Sequence, residues 1–297
     1  MLKSLYSGVS GMRGFQTKMD VIANNIANVN TTAFKSSRAR FQDMLSQTIA
    51  NAQSPAEGGR GGVNSQQVGL GVKVGAIDTM MGGGALQPTN RYLDFAIERE
   101  GFFAVSADEG VTISYTRDGA FFRDYEGNLV NANGEKVLGY APDAPVENDG
   151  TNVVAPDEPE LTDLAPLKIL DILDDGQKLE SFTIDGTGKI IGVYSDGTDS
   201  TSYIIGQISL VKFSNPEGLT KAGNNNYVVS NNSGAPQVGE AGKEGFGIVR
   251  QGFLEMSNVD LANEFTEMII ASKAYSANSR SISTSDEMLQ ELINLKR

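Results

Sequence analysis

Asp124, Glu126 and Asn128 alternate around Gly127, three oxygen-bearing side chains of the kind that gather round a hard cation. Their spacing departs from that of a calcium loop, and Glu-Gly-Asn between strands reads more simply as a hairpin turn. Gly69-x-Gly71-x-x-x-Gly75 and the run Gly82 to Gly84 are candidate phosphate cradles. Neither is followed by Lys-Ser/Thr, and neither has the strand, glycines and helix of a dinucleotide fingerprint. Two carboxylates could serve glycoside hydrolysis if the fold made them neighbours, but no pair stands out. The chain has no Cys, no His and no Trp. Thiol and histidine nucleophiles, disulfides and the usual zinc ligand sets are therefore excluded. The expectation is a protein that is not an enzyme, with no catalytic, cofactor-binding or metal residues, no cofactor and no small-molecule substrate.

Composition points the same way. The 297 residues are 39% hydrophobic and 21% charged, with a formal charge of −13. That is an ordinary globular balance, and its acidity disfavours nucleic acid or an anionic membrane as a partner. No apolar run is long enough to span a membrane, and the N-terminus lacks the apolar core of a cleaved signal.

The elements that must position any working surface differ between the ends and the middle. Leu2, Leu5, Val9, Met12, Met19, Ala23 and Ile26, with Ile22 beside them, recur in steps of three and four. Leu261, Phe265, Met268, Tyr275, Ile282, Leu289 and Ile293 lie on one such register, which Ser272, Ser279 and Asp286 interrupt. Both spacings predict long amphipathic helices with narrow stripes, suited to each other or to other copies. Periodicity alone leaves open whether they close one domain or form an assembly seam. Gly8, Gly11 and Gly14 each cost about 1 kcal/mol in a helix interior, and are tolerated best where backbones pack closely.

Between the helices the period falls to two, with apolar and β-branched runs at Phe102 to Val105, Val111 to Thr116, Leu179 to Ile184, Ile190 to Tyr194 and Ile204 to Val211. Asp-Gly and Asn-Gly pairs, among them Asp118-Gly119, Asn133-Gly134, Asp149-Gly150, Asp175-Gly176, Asp185-Gly186 and Asp196-Gly197, punctuate them as turns. Gln53 to Gln67 and Ala141 to Pro166 read as loops. The fold class expected is α+β: long N- and C-terminal helices pairing as a coiled coil, with a mainly-β central domain inserted between them. Residues 1–30 and 258–297 make the helical domain and 31–71 a connector with a Gly-rich loop. Residues 72–140 and 167–257 make the β-domain, and 141–166 a small variable insert.

The segment Asp20-Val-Ile-Ala-Asn-Asn-Ile-Ala-Asn-Val-Asn-Thr-Thr-Ala-Phe-Lys35 resembles the N-terminal signature of the bacterial flagellar rod and hook family of axial proteins. Further blocks resemble that family in the same order: Asp94 to Ile97 with Gly101 to Phe103, Tyr115 to Phe121, Asn215 to Leu219, and Ser257 to Phe265 leading into Lys273-Ala-Tyr275. The resemblance implies a subunit that polymerises helically into a hollow shaft, its terminal helices lining the channel. It implies export without a cleaved signal through the flagellar type III apparatus, where Phe41 and Leu45 resemble the export-gate element. The alternative for Phe41 and Leu45 is local packing as one face of a short helix.

Within the family, Val68 to Val74, Asn258 to Ala262 and the Leu-Lys-Arg ending look more like a hook subunit, a flexible universal joint. That reading implies rod subunits below, hook–filament junction proteins above and a hook cap during assembly. The short chain and the extra loop from Ser46 to Gln67 favour instead a distal rod subunit, whose packing such a loop would stiffen. A Gly-rich hinge at Glu57 to Gly62 would serve the hook. A secreted acidic β-rich binding module is the remaining class, but it has no need of apolar stripes at both ends.

Overall fold

The computed structural model describes residues 2–55, 61–108, 110–142, 145–147, 156, 160–173, 176–197, 200–243 and 245–295. The Glu57 to Arg60 part of the expected hinge, half of 141–166, the turn at Asp149-Gly150, Asp175, and the final Lys296-Arg297 lie outside the described residues. No helix among the described residues is long and apolar enough to cross a membrane.

The chain divides into two compact units. The first comprises residues 1–29, 36–80 and 259–297. Its helices are α1, Leu2–Ala27, and α2, Leu261–Leu295, close to the expected spans. Asp260 starts α2 by accepting the backbone N–H groups of Ala262 (2.9 Å) and Asn263 (3.3 Å) on Oδ1. The same unit holds two antiparallel strand pairs. β1 (Ser37–Asp43) pairs with β4 (Val72–Thr79), and β2 (Ser46–Ala50) with β3 (Gln66–Gly69).

These strands correct two expectations. Residues 31–71, read as connector and loop, carry β1, β2 and β3, and a further bridge joins Gln53 to Val63. Residues 72–80, read as part of the β-domain, group with the helices because β4 pairs with β1. The β2–β3 ribbon is exposed along both strands, so no polar–apolar alternation marks it in the sequence.

The second unit comprises residues 30–35 and 81–258. Among the described residues it forms an antiparallel sheet of 13 strands around Ser200–Lys212, whose neighbours include Lys189–Ser195, Lys136–Tyr140, Phe102–Ser106 and Gln237–Glu240. The strand Phe102–Ser106 is buried on both faces: Phe103 and Val105 join one core with Phe95, Phe121 and Ile208, while Phe102 and Ala104 join another with Tyr115, Phe213 and Tyr227. That double burial explains its continuous apolar run. The described parts of 141–166 feed the same sheet, Val146–Glu147 pairing with Tyr203 and Ile204, and Ala165–Pro166 with Leu138 and Gly139.

Candidate assembly surfaces

The would-be chemical sites resolve into architecture. Asp124 Oδ1 accepts the backbone N–H groups of Glu126 (2.9 Å) and Asn128 (2.8 Å), and its Oδ2 accepts Asn128 Nδ2 at 2.9 Å. These bonds, led by that from the Asn128 side chain, hold the Asp124 carboxyl below its usual pKa. The carboxylate thus closes a hairpin turn between Phe122–Arg123 and Leu129–Val130. At Gly84 an added Cβ would lie 1.9 Å from Met256 O, so this glycine is a point of backbone contact.

In the first unit the glycine ladder does what close packing demands. A Cβ at Gly8 would meet Ile282 Cγ1 at 2.9 Å, and one at Gly11 would meet Asn278 Nδ2 at 2.9 Å. One at Gly14 would meet Phe41 Cε1 at 2.8 Å. Further along, Lys18 pairs with Glu267, and the buried Asn25 donates from Nδ2 to Glu264 Oε1 (3.0 Å) and Ser37 O (2.8 Å). Asn25 Oδ1 also accepts Ser37 N–H at 3.0 Å. Partners on α2 fall in number as those on α1 rise, so the helices run antiparallel along these contacts. Burial raises the Glu264 carboxyl above its usual pKa, with the Asn25 hydrogen bond opposing the shift.

The expected stripe residues divide. On α1, Ile22 is buried, Leu5, Met12, Met19 and Ile26 are half-buried, and Val9 is exposed. Ala23, which shared that register, is exposed, and the side chain of Leu2 lies outside the described part of the structure. On α2 the positions turned inward are Glu264, Met268, Ala271, Ala274, Asn278, Ile282, Ser285 and Leu289. Three of these belong to the expected register. Leu261, Phe265, Tyr275 and Ile293 are exposed, together with Ile269, Ile270, Met288, Leu292 and Leu295. Helix α2 thus keeps an apolar surface that its own chain leaves open.

Phe41 lies in strand β1, not in a short helix, so the i, i+4 reading of Phe41 and Leu45 is corrected. Its ring packs on Phe15 with centroids 5.3 Å apart. Leu45 is 84% exposed and takes no part in that packing.

Sequence reasoning named Lys35 only as the end of a signature block and missed what it does. Its Nζ donates to Glu255 Oε1 at 2.5 Å and to Gly82 O at 2.9 Å, inside the second unit. Glu255 Oε1 also accepts Gly84 N–H (2.9 Å) and lies 3.4 Å from Arg117 Nη1. Burial first, and then the Arg117 charge, lower the Lys35 pKa. Residues 30–35 are further bound there by Ala33 N–H to Glu255 O (2.8 Å) and Asn225 Nδ2 to Thr32 O (3.1 Å). The signature block is therefore structural, tying a short stretch of chain into the β-unit.

A chain with an open apolar helix face, a fully exposed β-ribbon and a polar framework devoted to its own backbone has surfaces built for other protein chains. Comparison with known proteins names the class. Residues 5–35 match the family model described as flagella basal body rod protein. Residues 96–192 match the D1 domain of flagellar hook protein FlgE/F/G, and 250–295 the C-terminal region of the flagellar basal body rod FlgEFG proteins. The chain is 46% identical to the flagellar basal-body rod protein FlgG of Bacillus subtilis over 298 residues, covering all of both chains. It is 38% identical to FlgG of Borreliella burgdorferi over 297 residues, again covering all of both. It is 32% identical to the flagellar hook protein FlgE of the same species over 447 aligned positions, covering all of both. The chain belongs to the flagellar basal-body rod and hook family. It is a structural subunit of the bacterial flagellum's axial structure, in the hook–basal-body region, and self-polymerisation within that structure is what the family implies.

Proposed function

We propose that the chain is the distal rod subunit, polymerising into the straight shaft that carries motor torque towards the hook. The observation that carries this reading is its match at 46% identity, over full length on both sides, to a protein named as basal-body rod FlgG. Accommodating the hook protein stretches the alignment to 447 positions at 32% identity. The hook reading therefore gives way to the rod. Of its supporting blocks, Asn258 to Ala262 falls within a region matched by a model described jointly for the FlgE, FlgF and FlgG proteins, so that block marks the family rather than the member.

In this reading the end helices form the inner coiled-coil layer, with the open face of α2 covered by neighbouring copies. The β2–β3 ribbon packs between copies and stiffens the shaft. A two-stranded ribbon exposed on both sides is marginal in water. Ile49, Val63 and Val68, exposed along it, supply apolar contact for that packing. Export proceeds through the flagellar type III apparatus, with Phe41 and Leu45 as the gate element. The protein acts without catalysis, its partners being its own copies and the axial proteins on either side.

Immunogold labelling of isolated hook–basal bodies tests the assignment. Label confined to the straight shaft supports the rod, and label along the curved extracellular segment overturns it. Replacing residues 46–69 by a short turn should give shafts that still form but bend more readily in electron micrographs. Unchanged straightness would remove the ribbon from the account.

A further inference from the structure

Helix α2 is longer than its partner. Contacts step from Gly11 with Asn278 to Gly8 with Ile282, and the buried Ser285 and half-buried Leu289 continue the same line. That progression brings position 289 abreast of the first residues of α1. Beyond it, Leu292, Ile293 and Leu295 are 51%, 66% and 82% exposed. The overhang is about 9 Å of helix at 1.5 Å per residue. Met288, Leu292 and Leu295 stand at i, i+4 and i+7, one apolar stripe, and Glu287 and Glu291 lie along its flank. A helix end whose stripe the described residues leave largely exposed is built to be received.

The same unit contains a receiver of matching character. A groove of about 400 Å3 runs between α1 and the loops and strand beside it, lined by Tyr6, Val9, Met44, Leu70, Val72 and Val74 and bordered by Arg13 and Lys73. Tyr6 is 73% exposed, and Val9 and Met44 are also exposed. Neither Arg13 nor Lys73 has an ion-pair partner among the described residues, and both side chains are exposed. The groove is apolar with a basic border, and the overhang is apolar with an acidic flank.

We propose that the end of α2, residues 288–295 including the overhang beyond 289, seats in the groove of a second copy, with Glu287 and Glu291 facing Arg13 and Lys73. One copy cannot satisfy itself, because its own overhang projects past the N-terminal end of α1 while the groove lies further along that helix. The contact joins two different patches, so it repeats head to tail and leaves an open receiver at one end. This inference rests on the self-polymerising reading and adds which surfaces meet.

The absence of cysteine from the sequence allows a direct test. Full-length chain carrying both V9C and L292C is assembled, oxidised and run on a denaturing gel without reductant. The expected result is a ladder of disulfide-linked multimers, while a mixture of the two single variants stops at dimers. Shafts that form normally but yield no linked copies overturn the groove contact and leave polymerisation intact. An intramolecular disulfide in monomers also overturns it. Failure of the unsubstituted chain to assemble strikes the polymer reading itself. Charge exchange gives the second measurement: Arg13→Glu with Lys73→Glu should lower assembly at least tenfold, as should Glu287→Lys with Glu291→Lys, and the four together should restore it. Absence of rescue, with all variants as helical as the parent, overturns the pairing.

Discussion

Lys35 Nζ and Glu255 Oε1 meet at 2.5 Å with both side chains sealed from solvent, joining positions 220 residues apart within the β-unit. Two cations, Lys35 and Arg117, share this one carboxylate, and its Oε2 is buried without a hydrogen-bond partner among the described residues. Breaking a buried pair from one side strands a charge, and the loss exceeds what the pair adds over an apolar substitute. Lys35→Met should therefore destabilise the protein by about 3 kcal/mol, the low end for such pairs because Arg117 still faces Glu255. Adding Glu255→Gln should deepen the loss, because the buried Arg117 is then the charge left without a carboxylate. Denaturant unfolding of the two variants checks this, and equal losses in both would refute the charge argument.

The aromatic core makes stability fall at alkaline pH. Tyr115 is buried edge-on to Phe213, with centroids 4.9 Å apart, and burial pushes its phenol up from 10.0 to about 12. Between those values the unfolded chain has released this proton and the folded chain retains it, so stability declines as pH rises through the window. Relative to Tyr115→Phe, the unsubstituted protein should lose up to roughly 3 kcal/mol across it. Paired unfolding curves at several alkaline pH values measure the difference. Parallel curves would show that Tyr115 has solvent access.

What could be read from the residues followed periodicity and turn chemistry. Both helices announced themselves by steps of three and four, and the strand Ser200–Lys212 by its apolar run. The ribbon from Ser46 to Gly69 did not, because strands exposed on both faces show no alternation. The inward face of α2 was misjudged for a related reason. Its tightest positions are Ala271 and Ser285, small residues that an apolar search passes over, while Phe265 and Ile293 on the sought register point out. Lys35 with Glu255 belongs to no period at all, and only the fold brings them together.

Phe41 and Leu45 separate export from packing. Phe41 contacts Phe15 and crowds the space over Gly14, so Phe41→Ala should weaken folding and secretion together. Leu45 is mostly exposed, so Leu45→Ala should leave stability within about 0.5 kcal/mol. If the pair is the gate element, Leu45→Ala still lowers secretion severalfold. Normal secretion of a stable Leu45→Ala chain would return Phe41 to local packing alone.

The divided stripe of α2 gives two different failures from one kind of substitution. Ile282 faces Gly8 at the helix contact, and aspartate there places a charge against α1 where its side chain leaves room for no other group. Ile282→Asp should therefore lower helicity of the isolated chain as well as abolish assembly. Phe265 is 51% exposed, and Phe265→Asp should leave the isolated chain as helical and as stable as the parent. In the polymer its burial would contribute about 1.5 to 3 kcal/mol per copy, repeated along the shaft, so the same variant should fail to assemble. Circular dichroism of the monomer and sedimentation of the assembly read the two effects separately. A Phe265→Asp chain that polymerises normally would show that neighbouring copies leave this face of α2 uncovered.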